Sequence, residues 1–152
     1  MLKRQAWENI VQLKVENYLP PDDVMVSIIN QLLTKLTALP KSKDHYGLTH
    51  TDFHQSNFYL HNGEIQLFDF DDASYTYFIN DIGTTLYFAL FYPFKEFENK
   101  TEYQRLFFHH FIKGYLKENT IEEEDIVYLQ NSIKLRHALL YVYFQILISE
   151  FL

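Results

Sequence analysis

Residues 46–72 read YGLTHTDFHQSNFYLHNGEIQLFDFDD, and the period of the chain changes inside them. Residues 45–50 form a short strand pattern that runs into a polar loop. FYLH at 58–61 and EIQLFDF at 64–70 flank Asn62-Gly63. Asn-Gly between two apolar or alternating runs is a strong hairpin signal, because both residues tolerate positive φ. A hairpin is therefore predicted over 58–70. The strand delivers His50 and Asp52 to the loop, Asn57 follows five residues after Asp52, and Asp69 ends the second hairpin strand. A hairpin returns the chain to its start, so Asp69 is expected beside Asn57 and Asp52. Two carboxylates and a carboxamide would then converge, an oxygen-donor set of the kind magnesium takes together with substrate phosphates.

Outward from this block the chain reads as helix. Residues 23–39, DVMVSIINQLLTKLTAL, carry Val24, Ile28, Leu32 and Leu36 on one helical face, with Pro40 ending the pattern. Asp81 is placed to cap a helix over 82–92 that stops at Pro93. Thr101 with Gln104, and Thr120 with Glu123, have capping-box spacing before two further helices. The expected fold class is α+β, mostly α, with helices around one small β-hairpin. The most apolar run, ALLYVYFQILI at 138–148, is shorter than the roughly 18 residues a bilayer span needs. It reads as a buried helix or a subunit contact. His109, His110 and His137 fall on helices without an acidic partner at metal spacing and read as packing or surface residues.

Composition bounds the function. The 152 residues suffice for one domain. Thirteen Lys and Arg against twenty Asp and Glu give a net charge of -7, which argues against a nucleic-acid binder that must displace counterions from phosphate. Without cysteine there is no disulfide frame and no thiolate chemistry. The amino-terminal stretch has no uninterrupted apolar region of the secretory kind, so a cytoplasmic protein with no membrane partner is expected.

The block 46–90 resembles the catalytic centre of the protein-kinase-like fold, and more closely that of the aminoglycoside phosphotransferase and choline kinase superfamily. There a His-x-Asp-x-His-x-x-Asn loop is followed by a hairpin ending in Asp. Here the loop reads His50-Thr51-Asp52-Phe53-His54-Gln55-Ser56-Asn57, the hairpin ends Leu67-Phe68-Asp69, and Asn80-Asp81-Ile82-Gly83 matches a later Asp at a helix start. The resemblance implies that Asp52 accepts or orients the proton of an attacking substrate hydroxyl. It implies that Asn57 and Asp69 hold Mg²⁺ on the phosphates of ATP. His50 would orient the loop from behind, and Asp81 would hydrogen-bond the loop backbone and cap its own helix. His54, Asp71 and Asp72 are substrate-contact candidates, with loop support and solvation as their plainer alternatives. The sequence departs from the family pattern at Thr51, where glycine is usual, and at Gln55-Ser56, where Pro-Gly is usual.

No Gly-rich loop, and nothing that reads as a β-sheet bearing a phosphate-pairing Lys, occurs in the chain; Lys3 and Lys14 lie in helical sequence. Residues 1–152 are accordingly expected to be a single domain, the carboxy-terminal lobe of such a kinase without its nucleotide-binding lobe. Weak or absent transfer by the lobe alone would follow, together with apolar surface available to the missing lobe or to a homo-oligomer. Two alternatives stand beside this reading. One is a non-catalytic kinase-lobe binding module. The other is a metal-dependent hydrolase using His50, Asp52 and His54 from one strand face, which requires the strand to continue through His54.

Overall fold

The structure is a computed structural model and describes residues 4–91 and 98–151, with the side chain of Phe151 left aside. Its order is α1 (Trp7–Tyr18), α2 (Val24–Leu36), β1 (Tyr46–Thr49), β2 (Phe58–His61), β3 (Glu64–Leu67), β4 (Ser74–Tyr77), α3 (Phe78–Phe91), α4 (Lys100–Tyr115) and α5 (Asp125–Phe151). The mostly helical α+β class is thus as read from the sequence.

The core is helical. Trp7, Val11 and Val15 recur every four residues on α1 and are buried. On α2 the buried residues are Ile29, Leu32, Leu33 and Leu36. Val24 and Ile28 of the expected stripe are exposed, so the buried face is rotated toward Ile29 and Leu33. Asp23 caps α2 by accepting from the Met25 amide at 2.8 Å. The long helix α5 packs against α3, α2 and α1. Gly83 lies where α3 meets α5: a Cβ there would stand 2.7 Å from Ser132 Cβ, so only glycine permits this approach. In the run 138–148, Ala138 and Val142 are buried while Tyr143, Phe144 and Ile148 are exposed. No helix among the described residues is long and apolar enough to cross a membrane.

Two antiparallel strand pairs sit against these helices. The hairpin β2–β3 has the expected register, Phe58 opposite Leu67 and His61 opposite Glu64. Asn62 at φ 52° and Gly63 at φ 83° make its turn, the two left-handed residues that a right-twisted hairpin requires. The second pair, β1 with β4 (Tyr46 opposite Tyr77, Thr49 opposite Ser74), includes a strand the sequence reading left out.

Three helix starts differ from expectation. The strand β4 runs directly into α3 at Phe78, so Asp81 lies inside the first turn and is not its cap. Asn99 rather than Thr101 caps α4, accepting from the Glu102 amide. α5 begins at Asp125, whose carboxylate accepts from the Glu122 amide, in place of the Thr120 box. The first-turn amides are met by the Asn99 side chain at α4, by the Glu122, Glu123 and Glu124 carbonyls at α5, and at Phe78 of α3 by the His45 carbonyl. Pro93 lies outside the described residues; α3 is described to Phe91.

Candidate active site

The strand β1 ends at Thr49, and the chain then turns sharply. Thr51 has φ 63°, a left-handed conformation that is a real outlier for a β-branched residue and costs ~1–3 kcal/mol. This is the position where the family pattern has glycine. Thr51 holds the conformation through two bonds, its amide donating to Asp81 Oδ1 at 2.7 Å and its hydroxyl to the Asp72 carbonyl at 2.7 Å. Each such bond contributes about 1 kcal/mol, enough together to offset much of the strain. The turn also breaks the strand before Asp52, so His50, Asp52 and His54 do not share a strand face. The geometry required by the hydrolase alternative is absent.

Asp52 emerges from this turn with both carboxylate oxygens engaged. Arg136 Nη2 of α5 donates to Oδ1 at 2.5 Å, and His54 Nε2 lies 3.3 Å from Oδ2. The Ser56 amide donates to His54 Nδ1 at 3.2 Å, so a neutral His54 ring carries its proton on Nε2, toward Asp52. Phe88 of α3 backs both groups: the His54 ring lies 4.9 Å and the Arg136 guanidinium 4.8 Å from its ring centre.

Asn57 is tied to the same loop. It is buried, and its Nδ2 donates to the Asp52 carbonyl at 2.9 Å. With Nδ2 so committed, Oδ1 is the atom left to face a cation. The Phe68 amide donates to the Asn57 carbonyl at 3.1 Å, which puts Asp69 one residue from the rung that carries Asn57. Asp69 is exposed and has φ 62°, a conformation aspartate tolerates better than most residues. One carboxylate and one amide oxygen at the hairpin base fit a magnesium ion that takes its other ligands from phosphates and water. No group of three or more His, Asp or Glu residues among the described ones is placed to hold a metal ion.

His50 is buried behind the loop. Its Nε2 donates to the Phe68 carbonyl at 3.0 Å, and its ring lies 4.9 Å from that of Phe70. It therefore joins the loop to the hairpin end. Asp71 and Asp72 are both exposed. The Asp71 carbonyl accepts from Arg4, and Asp72 lines the cleft described next. His109, His110 and His137 are exposed, with His137 Nδ1 facing the Tyr87 hydroxyl at 2.8 Å.

Burial pushes the Asp81 carboxyl above the ordinary carboxylate value, against the pull of the Thr51 amide. A carboxyl raised on folding adds stability that is full below its unfolded pKa and is lost as pH rises through the folded one. Asp81→Asn keeps an oxygen for the Thr51 amide and removes the buried charge. We expect its urea midpoint at neutral pH to equal or exceed that of the parent. We also expect it to lack the parent's gain as pH falls toward 3.8, the ordinary value. A clearly lower midpoint at neutral pH would mean that the loop needs the charge itself.

Beside Asp52 lies a cleft of about 360 Å³ between α1 and α5, within the range of small-molecule sites. Its walls are apolar, with Trp7, Ile10 and Val11 on one side and Leu139, Leu140 and Tyr143 on the other. Asp52, Asp72, Lys14 and Arg136 supply its polar points. Lys14 was weighed from the sequence only as a phosphate-pairing lysine and set aside, and Arg136 was not singled out; Arg136 is 84 residues from its partner, and no local pattern marks it.

A loop presenting an aspartate to a cleft, backed by a hairpin with an amide and a carboxylate at its base, is the arrangement of a phosphotransferase. A family model described as "Phosphotransferase enzyme family" matches residues 2–117, and the chain belongs to that family. Amicoumacin kinase of Bacillus subtilis (strain 168) is 41% identical over 140 residues, which is 91% of this chain and 42% of that protein. A solved structure, "Amicoumacin kinase hAmiN in complex with AMP-PNP, Ca2+ and Ami", superimposes with a TM-score of 0.83 at 44% identity, covering 94% of this chain and 43% of that one. The chain thus spans less than half the length of the relatives it matches.

Proposed function

We propose that this chain is the catalytic and acceptor lobe of an ATP-dependent kinase that phosphorylates a hydroxyl of an amicoumacin-type small molecule. The acceptor hydroxyl oxygen attacks the γ-phosphorus, the bond to the β-phosphate oxygen breaks and ADP leaves. The hydroxyl proton goes to the Asp52 carboxylate. Asn57 and Asp69 would hold the magnesium ion, which neutralises phosphate charge when bound. The chain's own work is positioning: His50 and Asn57 tie the loop to the hairpin, Asp81 fixes its backbone, and the cleft walls orient the acceptor.

The observation that carries this reading is Asp52 at the edge of the 360 Å³ cleft, bonded through its own carbonyl to Asn57. Relatives above 40% identity named as amicoumacin kinases support the acceptor class. The need for a second lobe is supported by the hairpin, where Tyr59, Leu60, Ile65, Leu67, Phe68 and Phe70 are exposed. So much apolar surface in one place favours a partner surface over solvent. A kinase of this kind would work in the cytoplasm, where ATP is supplied.

Mass spectrometry of amicoumacin incubated with ATP, Mg²⁺ and the chain tests this. We expect slow phosphorylation by the chain alone and much faster phosphorylation when the chain is fused to the amino-terminal lobe of the B. subtilis relative. Fast turnover by the chain alone would refute the two-lobe requirement. An inert fusion that binds neither amicoumacin nor Mg²⁺-AMP-PNP would refute the kinase reading and favour a binding module.

A further inference from the structure

Arg136 lies beyond residues 2–117, the stretch matched by the family model, yet it makes the shortest polar contact to Asp52. Its guanidinium is fixed from two sides, by Asp52 Oδ1 at 2.5 Å and by the Phe88 ring at 4.8 Å. Its Nε is buried without a partner among the described residues, a cost that the ion pair and the ring contact offset. Three, four and seven residues further along α5, Leu139, Leu140 and Tyr143 line the cleft. Residues at those spacings share one helical face. One face of α5 therefore carries both the wall of the cleft and the group that holds the Asp52 carboxylate.

We infer that Arg136 is the positioning residue of Asp52, holding its carboxylate in register with the α5 wall of the cleft. The inference rests on the kinase reading given above. Asp52 sits on a loop just after a strained turn, and its side chain is fixed by His54 from the loop itself and by Arg136 from α5. An ionised carboxylate oxygen has two lone pairs, so Oδ1 can keep Arg136 and still accept from an acceptor hydroxyl. Arg136 acts through Asp52, whose carboxylate takes the proton.

Two readouts test it. The first needs no turnover. In ¹H–¹⁵N spectra of the chain, the Arg136 Nε–H resonance is expected to exchange slowly with water, and Asp52→Ala, which removes the oxygen that holds the guanidinium, is expected to expose it to rapid exchange. Fast exchange in the parent, or no change in the variant, overturns the inference. The second is transfer in single turnover, with the chain in excess over ATP. Arg136→Met is expected to lower the rate roughly 100-fold, the scale of a small misplacement of a reacting group. Acceptor affinity should stay nearly unchanged, and Arg136→Lys should recover part of the rate. Combined with Asp52→Asn, Arg136→Met should cost nothing further, because both act at one point. A weakened acceptor affinity with an unchanged rate would make Arg136 a binding residue and overturn the inference. An inactive Asp52→Asn beside a fully active Arg136→Met would sink the inference alone. A fully active Asp52→Asn would sink the kinase role of Asp52 on which it rests.

Discussion

Asp52→Asn is expected to lower phosphotransfer by about 10²–10⁴-fold, the range supplied by a positioned general base, while acceptor KM changes little. Asn has the same shape and its oxygen can still accept from Arg136 Nη2, so the loop keeps its tie to α5 and the Thr51 turn is untouched, while its amide nitrogen gives up the contact to the His54 Nε2 proton. What is lost is a carboxylate able to take the hydroxyl proton as the phosphorus–oxygen bond forms. Uniform loss of acceptor binding would instead mean that Asp52 serves recognition. Initial rates of ADP release by the lobe-completed enzyme, with far-UV circular dichroism to verify the fold, check this. Retention of more than a tenth of parental activity would remove Asp52 from the chemistry.

The variant also separates the kinase from the non-catalytic module. A scaffold has no reason to hold an acidic side chain with one guanidinium and one imidazole beside an apolar cleft. Buried or half-buried polar clusters of this kind cost stability unless every member is satisfied, and they concentrate where function requires them. If Asp52→Asn leaves ligand binding intact and abolishes transfer, the cluster serves chemistry.

How far the sequence revealed this arrangement depends on the range of each interaction. The hairpin was legible because its cause is local: Asn62 and Gly63 sit in left-handed conformations, and the register follows from the two-residue turn. The loop was legible through the spacing of His50, Asp52 and Asn57. The strand β4 was not, because Ser74–Tyr77 is paired with a segment some thirty residues earlier and runs straight into a helix. That missing strand is also why Asp81 looked like a cap. Without β4 the helix has no reason to begin at Phe78, and the carboxylate that serves the Thr51 amide appears free to serve its own helix. Thr51 is a departure from glycine whose meaning only coordinates supply. Its hydroxyl reaches the Asp72 carbonyl, a bond glycine cannot make, in exchange for backbone strain glycine would not have. Arg136 is the extreme case, since its partner, its ring contact and its helix face come from three elements.

Asp69→Asn carries the second large effect: binding of divalent cation with nucleotide should weaken by at least about 10–100-fold, the cost of disturbing even an outer partner of a metal ligand. The substitution is chosen for the backbone. Asp69 has φ 62°, and asparagine enters that region as readily as aspartate, whereas alanine would add strain. The side chain is exposed, so no packing is lost and the urea midpoint should stay within measurement error of the parent. Asn57 is the poorer probe. It is buried and donates to the Asp52 carbonyl, so Asn57→Ala disturbs the Asp52 loop and the proposed metal site together. Titration of Mn²⁺ by electron paramagnetic resonance, with AMP-PNP present, reads the affinity directly. Unaltered Mn²⁺ binding by a folded Asp69→Asn protein would take the cation away from the hairpin base. The proposed pairing of Asn57 with Asp69 would then reduce to a structural tie between the loop and β3.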